Sequence, residues 1–283
     1  MNWLALAWRQ LRRDLASGDV RILLAALVLA VMAVTSVSFI TDRAERALAL
    51  EANRLLGGDA VVRADAPITG VLRDAAAAPG LRQTETLSFP SMVRAGEALR
   101  LGEMKAMGEA FPLRGRFLLL DPATGGERVA EGIPAPGTLW LSRAGADLLG
   151  AKPGDAIGVG NIELTLAALV VQEPDAALDY FNTAPRVFLN LADVPATGLV
   201  QEGSRIGYRL VVAGDAGAVE QFTAIARDNL DRGQRLETAG DARPEIRRAL
   251  DRADRFLGLA ALVSVVLASV AVAMAARRHS ARH

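Results

Sequence analysis

The chain of 283 residues contains no cysteine. Disulfide bonds, thiolate metal sites and cysteine nucleophiles are therefore excluded. Its two histidines, His279 and His283, both lie at the C-terminal end, so a histidine-based catalytic triad or zinc site inside a folded domain is excluded as well. The sequence also lacks a Walker A phosphate-binding loop, because no Gly-Lys dipeptide occurs in it.

Net charge is absent too, since 32 basic residues balance 32 acidic ones. A dedicated nucleic-acid binder carries an excess of basic residues or a basic face, so a nucleic-acid partner is not expected. Lysine is scarce: Lys105 and Lys152 are the only two, and arginine supplies the other basic residues. An apolar content of 51% excludes a disordered or low-complexity chain.

Two long uncharged runs, 22–41 and 256–276, hold much of the apolar excess. Each has the length of about 20 residues with which an apolar helix covers a hydrocarbon core of roughly 30 Å. Both runs are therefore predicted to be membrane-spanning helices. A cleaved signal peptide is the alternative for the first run, and a buried core helix is the alternative for the second.

Arginines flank the two runs on the sides that face away from the intervening sequence. They are Arg9, Arg12, Arg13 and Arg21 before the first run and Arg277, Arg278 and Arg282 after the second. The positive-inside rule then places both ends of the chain in the cytoplasm and residues 42–255 outside. Since an exported domain without disulfides is typical of bacteria, the predicted location is a bacterial inner membrane with 42–255 in the periplasm.

The pattern divides the chain into five parts. They are a cytoplasmic interfacial amphipathic helix (1–18), a membrane helix with a stalk (19–56), a periplasmic domain (57–241), a second stalk and membrane helix (242–278) and a cytoplasmic tail (279–283). The pairs Asp42–Arg46 and Glu51–Arg54 favour a helical extension of the first span, and Gly57-Gly58 is expected to end it. Packing of the extensions into the domain itself is the alternative to an antiparallel stalk.

The periplasmic part is predicted to be a mixed α+β domain with several short strands in one or two lobes. Strands are predicted at 60–64, 81–95, 99–107, 157–159, 162–171, 186–189 and 205–212, and helices at 69–77, 142–149 and 215–229. Ser142 is the expected N-cap of the second of these helices, and Gly150 is its expected stop.

Only one cluster of acidic residues invites a chemical interpretation. Glu173, Asp175 and Asp179 follow a predicted strand. Carboxylates at this spacing suit a hard metal ion, but a solvated acidic loop is the favoured interpretation. No residue is assigned a catalytic, cofactor-binding or metal-binding role, and no cofactor is expected.

The order of several motifs resembles one family. They are LLGGDAVVRAD (55–65), FPLRG (111–115), PGTLWLSRAGADLLGAKPGDAIGVG (136–160), VVQEPD (170–175), APRVFLN (184–190), TGLVQEGSRIGYRL (197–210) and RPEIRRALDRADRFLGLAALVSVVLASVAVAMAARR (243–278). Together they resemble the MacB/FtsX-type ABC transporter permeases, and in particular their YbbP-like branch, over essentially the whole chain.

The resemblance implies both a fold and a function. The external domain would be a periplasmic domain of the MacB core type, and the chain would be the N-terminal part of a permease subunit, not an enzyme. A separate cytoplasmic ATPase would drive motion that the long helices transmit to this domain (mechanotransmission). The resemblance also suggests a second permease copy, a periplasmic lysophospholipase or thioesterase as partner, and a lipid-like or hydrophobic substrate.

The resemblance has one departure and leaves an alternative open. Family permeases continue beyond the second span into an ATPase-docking segment and further spans, whereas this chain stops at His283, so it is interpreted as a fragment or a truncated product. The alternative function is a two-span membrane sensor with an extracytoplasmic ligand-binding domain. An exported enzyme on a membrane anchor is disfavoured, because the histidines and a nucleophile motif are missing.

Overall fold

The computed structural model describes residues 53–122, 124–175, 184–201 and 203–238 without interruption, together with isolated positions between 28 and 51 and between 252 and 270. The predicted interfacial helix and tail, and most of the two predicted spans, lie outside the described residues. The chain divides into two compact units. One comprises Met1–Leu48 and Pro244–His283, and the other comprises Ala49–Arg243.

Every described position of the first unit is helical. Large apolar side chains among these positions are about half exposed or more, for example Val31 at 57% and Leu259 at 65%. The guanidinium of Arg46 lies 2.9 Å from the carboxylate of Asp42, which confirms the predicted pair. Within the part of the chain that the structure describes, no helix combines the length and the apolar character needed to cross a membrane.

The second unit alternates strands with short helices, as the sequence predicted for this region. Its strands are β1 Ala60–Ala64, β2 Leu81–Ala95, β3 Ala98–Met107, β4 Leu118–Leu120, β5 Glu127–Val129, β6 Thr138–Ser142, β7 Ala156–Val159, β8 Ile162–Gln172, β9 Arg186–Asn190, β10 Gly207–Gly214 and β11 Arg235–Thr238. Its helices are α1 Val71–Ala76, α2 Arg143–Leu149, α3 Val194–Thr197, which follows a 3-10 turn at Leu191–Asp193, and α4 Ala216–Asp228.

The strands join in one sheet that is partly closed. Their order is β11-β1-β10-β2-β3-β9-β6-β8-β4-β5, and β7 pairs with both β2 and β8. Six strands, β2-β3-β9-β6-β8-β7, therefore form a closed ring and a small barrel. From β2 the antiparallel strands β10, β1 and β11 extend the sheet beyond the barrel.

Side chains alternate between the two faces of the sheet and build three groups of buried apolar residues. All six ring strands contribute to the barrel core, for example Leu139 and Leu141 of β6. The helix-side core packs α1 and α4 against β1 and β10. The outer core lies on the other face, where Trp140 of β6 and Phe188 of β9 point away from the barrel core. The barrel core and the helix-side core are thus separate, whereas the outer core joins strands of the ring to β1 and β10.

Local signals in the sequence predicted several elements correctly. β1 and β2 have the predicted bounds, and α2 ends where Gly150 adopts the left-handed conformation (φ 65°). The Ser142 Oγ accepts a hydrogen bond from the backbone N–H of Gly145 at 3.1 Å, which confirms the predicted N-cap. β4, β5, β6 and β11, which have three to five residues each, were not predicted.

In the turn between β7 and β8, the backbone at Gly160 lies very close to the carbonyl group of Thr197. At Gly160 φ is 58°, and a Cβ atom there would lie 2.1 Å from the carbonyl oxygen of Thr197. We expect Gly160→Ala to lower the free energy of unfolding by about 2 kcal/mol or more. The matched control Gly132→Ala, where a Cβ meets nothing within 4 Å, should change it by less than about 0.5 kcal/mol. Chemical unfolding followed by tryptophan fluorescence measures both values, and equal effects would contradict this account.

Candidate functional site: the junction of the leading helix with the sheet

A helix leads into the sheet immediately before β1. This leading helix comprises the described helical positions Leu50, Glu51 and 53–56 of the second unit. It ends at Gly57, where φ is 75° and the backbone N–H donates a hydrogen bond to the carbonyl of Arg54 at 3.1 Å. The predicted stop is therefore confirmed. The predicted pairing of Glu51 with Arg54 is also present, at 3.8 Å.

Backbone contacts hold the two residues that directly follow the leading helix, Gly57 and Gly58. The carbonyl of Gly57 accepts hydrogen bonds from the N–H groups of Leu113 and Arg114, at 3.0 and 2.9 Å. At Gly58 a Cβ atom would lie 2.5 Å from the Val211 side chain, so only glycine lets the chain approach β10 this closely. The first residues after the helix thus lie in direct contact with β10 of the sheet.

Asp59 joins three segments by side-chain hydrogen bonds. Its two carboxylate oxygens accept a forked pair from Arg114, at 2.9 and 2.8 Å. The same carboxylate accepts from Asn53 of the leading helix at 2.9 Å and from the backbone N–H of Gly214 at 3.0 Å. The hydrogen bond to Asp59 raises the pKa of Arg114. Forked guanidinium–carboxylate pairs are directional, so they define the orientation of the helix end as well as its position.

Five charged side chains, four of them buried and one partly exposed, form a group beside this point, which we call the ion cluster. They are Lys105 of β3, Glu173 and Asp175 after β8, Arg186 of β9 and Arg209 of β10. The carboxylate of Asp175 contacts both Lys105 and Arg209, and that of Glu173 contacts Arg186 and lies 3.4 Å from the Lys105 ammonium. The ion cluster therefore connects strands that lie far apart in sequence.

The ion cluster also holds the leading helix directly. The second terminal nitrogen of Arg209 donates a hydrogen bond to the backbone carbonyl of Leu56 at 3.0 Å. The last carbonyls of a helix lack partners within the helix and carry partial negative charge, so a guanidinium is a favourable cap. One side chain thus binds the helix end and Asp175 at the same time.

The predicted solvated acidic loop is wrong for the two residues that the structure describes. Glu173 and Asp175 are 7% and 5% exposed, and Asp179 lies outside the described residues. Burial by itself would raise the pKa of Asp175. The charges of Lys105 and Arg209 and the hydrogen bonds that they donate outweigh burial and hold this pKa well below its usual range.

Aromatic side chains of the outer core cover the ion cluster and the helix end. The Lys105 ammonium lies 5.1 Å from the centre of the Phe111 ring, which also packs on Gly57. Phe117 meets Phe111 and Phe188 edge-on, with ring centres 6.1 and 5.6 Å apart. The aromatic cover excludes water and so strengthens the electrostatic interactions beneath it.

This arrangement suits mechanical attachment and offers little for chemistry. The carboxylates of the ion cluster face cations, which removes the free lone pairs that a metal ion or a general base needs. Among the described residues, no group of three or more histidine, aspartate or glutamate side chains is placed to hold a metal ion. Sequence reasoning had not singled out Lys105, Arg209 or Asp59. The available signal was the short apolar stretch around Lys105, which lies between Met104 and Ala106.

Comparison with known proteins identifies what the chain resembles. No protein-family model matches it. It is 32% identical over 268 residues to the uncharacterized ABC transporter permease YbbP of Escherichia coli (strain K12). The chain is thus similar to an ABC transporter permease. The match takes in 95% of this chain and 32% of YbbP, so the chain spans about a third of the length of that permease. The resemblance indicated by the motifs is confirmed.

Two solved structures are similar to part of this permease-like chain. One is the extracellular domain of the noncanonic ABC-type transporter YknZ from Gram-positive bacteria, with 6% identity and a TM-score of 0.41, covering 63% of this chain and 100% of that one. The other is a domain of a putative permease protein from Porphyromonas gingivalis, with 12% identity and a TM-score of 0.37, covering 63% and 85% of the two chains.

The ion cluster makes a stability prediction with a pH dependence. Asp175→Asn leaves Lys105 and Arg209 buried beside an uncharged group, so the free energy of unfolding at neutral pH should fall by about 3–5 kcal/mol. The native Asp175 pKa lies below the value of about 3.9 that an unfolded aspartate has. Its contribution is therefore complete above about pH 4 and is lost as the pH falls further, and the variant should show a shallower loss of stability in acid.

Urea unfolding at several pH values between 7 and 2 provides the measurement. Glu163→Gln is the matched control, because Glu163 pairs with Arg94 at the surface, where both side chains are about 60% exposed. It should lower stability by less than about 1 kcal/mol. A similar loss in both variants would contradict the assignment of Asp175 as the central charge of the ion cluster.

Proposed function

We propose that this chain is the N-terminal part of an ABC transporter permease whose periplasmic domain moves under the control of a separate cytoplasmic ATPase. Its two apolar runs span the bacterial inner membrane as helices, and residues 42–255 lie in the periplasm. The similarity to YbbP supports this assignment, and so do the exposed apolar side chains at the helical positions of the first unit. The domain has a mechanical role and catalyses no reaction.

The observation that carries the proposal is the attachment of the leading helix. Its end is held by backbone bonds from Leu113 and Arg114, by the Asp59 carboxylate and by the Arg209 cap. Because these directional hydrogen bonds make the junction (the joint) between helix and sheet stiff, it would move with the helix as one body. A rotation or shift of the helix would then be passed to β10 and its neighbours. Movement generated in the cytoplasm would reach the barrel by this route.

The wider assembly follows from the resemblance. A second permease copy would complete the transporter, and a periplasmic lysophospholipase or thioesterase would act beside it. The substrate would be lipid-like or hydrophobic. Since the chain spans about a third of YbbP, these assignments concern the whole permease of which the chain forms a part.

Single cysteines test the proposed topology, because the chain has no cysteine of its own. Glu97 lies exposed in the turn between β2 and β3, and Asp14 lies in the stretch proposed to be cytoplasmic. In intact spheroplasts, a membrane-impermeant maleimide should label Glu97→Cys at once and Asp14→Cys only after permeabilisation. Labelling of both variants, or the reverse order, would contradict the proposed orientation.

The joint is tested in the purified complex of the full permease with its ATPase. Glu97→Cys, as the only cysteine, carries an environment-sensitive dye that reports ATP-driven motion of the domain. Replacing both Asp59 and Arg114 by alanine removes the forked pair without stranding either charge. We expect the ATP-dependent fluorescence change to fall about fivefold or more, with ATP hydrolysis retained.

The control for this experiment replaces Arg94 and Glu163 by alanine, a surface pair away from the joint, and should leave the signal intact. A full signal in the Asp59/Arg114 variant would refute transmission through the joint.

Purification of the full protein distinguishes the permease from the alternative, a membrane sensor. An ABC ATPase is expected to accompany the permease, whereas a histidine kinase in its place would favour the membrane sensor.

A further inference from the structure

A groove of about 220 Å³ lies where the barrel core and the helix-side core fail to meet. Its walls include Ile68 before α1, Leu87 of β2, Leu191 of the 3-10 turn and Tyr208 of β10. Tyr208 is half-buried and packs against both cores. The groove is thus an apolar crevice at the seam between the barrel and the extension of the sheet.

The groove backs directly onto the junction. Neighbouring residues of a strand point to opposite faces, and on β10 Tyr208 lines the groove while Arg209, which also borders it, extends to the ion cluster. β10 pairs with β2 at this level, where Tyr208 lies opposite Leu87. Any displacement of Arg209 by the leading helix would therefore move a wall of the groove. No other described feature connects an apolar crevice to the joint in this way.

The lining of the groove indicates its occupant. Ile68, Leu87, Leu191 and Tyr208 offer apolar contacts that a single unbranched aliphatic chain would cover. Of the charged residues that line the groove, Arg73 and Glu85 lie at the rim, and Arg209 is paired with Asp175.

The rim carries one charge of each sign. A terminal nitrogen of Arg73 contacts a carboxylate oxygen of Glu85, and their side chains are 52% and 30% exposed. Exposed pairs of this kind are held weakly, so their partners can exchange for the charges of a ligand. A head group with one charge would satisfy only one of the two residues. A zwitterionic head group would pair with both.

We propose that this groove binds a single-chain zwitterionic amphiphile, with its aliphatic chain between Ile68 and Leu191 and its head group at Arg73 and Glu85. The inference rests on the proposed function, because the position behind the junction gives the occupant a role in transport. Movement of the leading helix would change the affinity of the groove for the aliphatic chain.

Photolabelling of the full protein in membranes tests the proposal. The probe is lysophosphatidylethanolamine with a diazirine in its acyl chain, and peptide mass spectrometry locates the label. We expect label on the peptides that contain Ile68 and Leu191. Leu191→Trp fills the groove and should weaken this labelling about fivefold or more. Leu148→Trp, at a 48% exposed apolar position of α2, is the matched control and should retain it.

The head group is tested separately with an anionic fatty acid and a neutral monoacylglycerol that carry the same photoreactive chain. Both should label the groove more weakly than the zwitterionic probe, and replacing Arg73 and Glu85 by alanine should abolish the difference. These two residues lie at the exposed rim, so this variant remains informative if Leu191→Trp does not fold. Label outside the groove, or equal labelling by all three probes, would overturn the inference. If the coupling experiment at Asp59 and Arg114 still succeeds, only the ligand assignment fails.

Discussion

The carboxylate of Asp175 is the point on which the junction depends. It lies in a buried site between Lys105 of β3 and Arg209 of β10, and its removal would leave Arg209 without an acidic partner and Lys105 with Glu173 alone. Arg209 caps the leading helix with one terminal nitrogen and contacts this carboxylate with the other. A buried charge with two cationic partners is costly to disturb, and this cost makes the joint stiff. The aromatic cover of Phe111 raises the cost further by excluding water.

β10 connects the parts of the domain that would have to move together. Its alternating side chains contribute to the helix-side core, the outer core, the ion cluster and the wall of the groove. It lies between β1, which continues from the leading helix, and β2, which enters the barrel. A long strand such as β2 belongs to both the extension and the ring, so motion of the helix end has a continuous hydrogen-bonded path into the barrel. The sheet therefore offers a route by which movement of the leading helix would reach the groove on the opposite face of β10.

Local signals and long-range contacts were predicted with very different success. The stop at Gly57, the cap at Ser142 and the hairpin of β2 and β3 each depend on residues within a few positions of one another, and the sequence displays them directly. The ion cluster joins Lys105 to Asp175 across 70 residues, and no local pattern reports such a pair. Glu173 and Asp175 were interpreted as solvated for this reason, since an isolated acidic turn is normally exposed. The closure of the ring likewise depends on the pairing of β7 with both β2 and β8, and no local pattern reports the contact with β2.

The sequence by itself indicated what kind of protein the chain resembles. Two uncharged runs, the arginine flanks, the absence of cysteine and the ordered motifs depend on composition and spacing, and they indicated a permease-like chain with a mixed α+β domain. Only the tertiary structure decided that Asp59, Arg114 and the ion cluster meet at the end of one helix, and that Tyr208 faces a groove behind them. Pairing of charges and the shape of a crevice arise from segments brought together by the sheet, so their physical basis is the register of strands far apart in the chain.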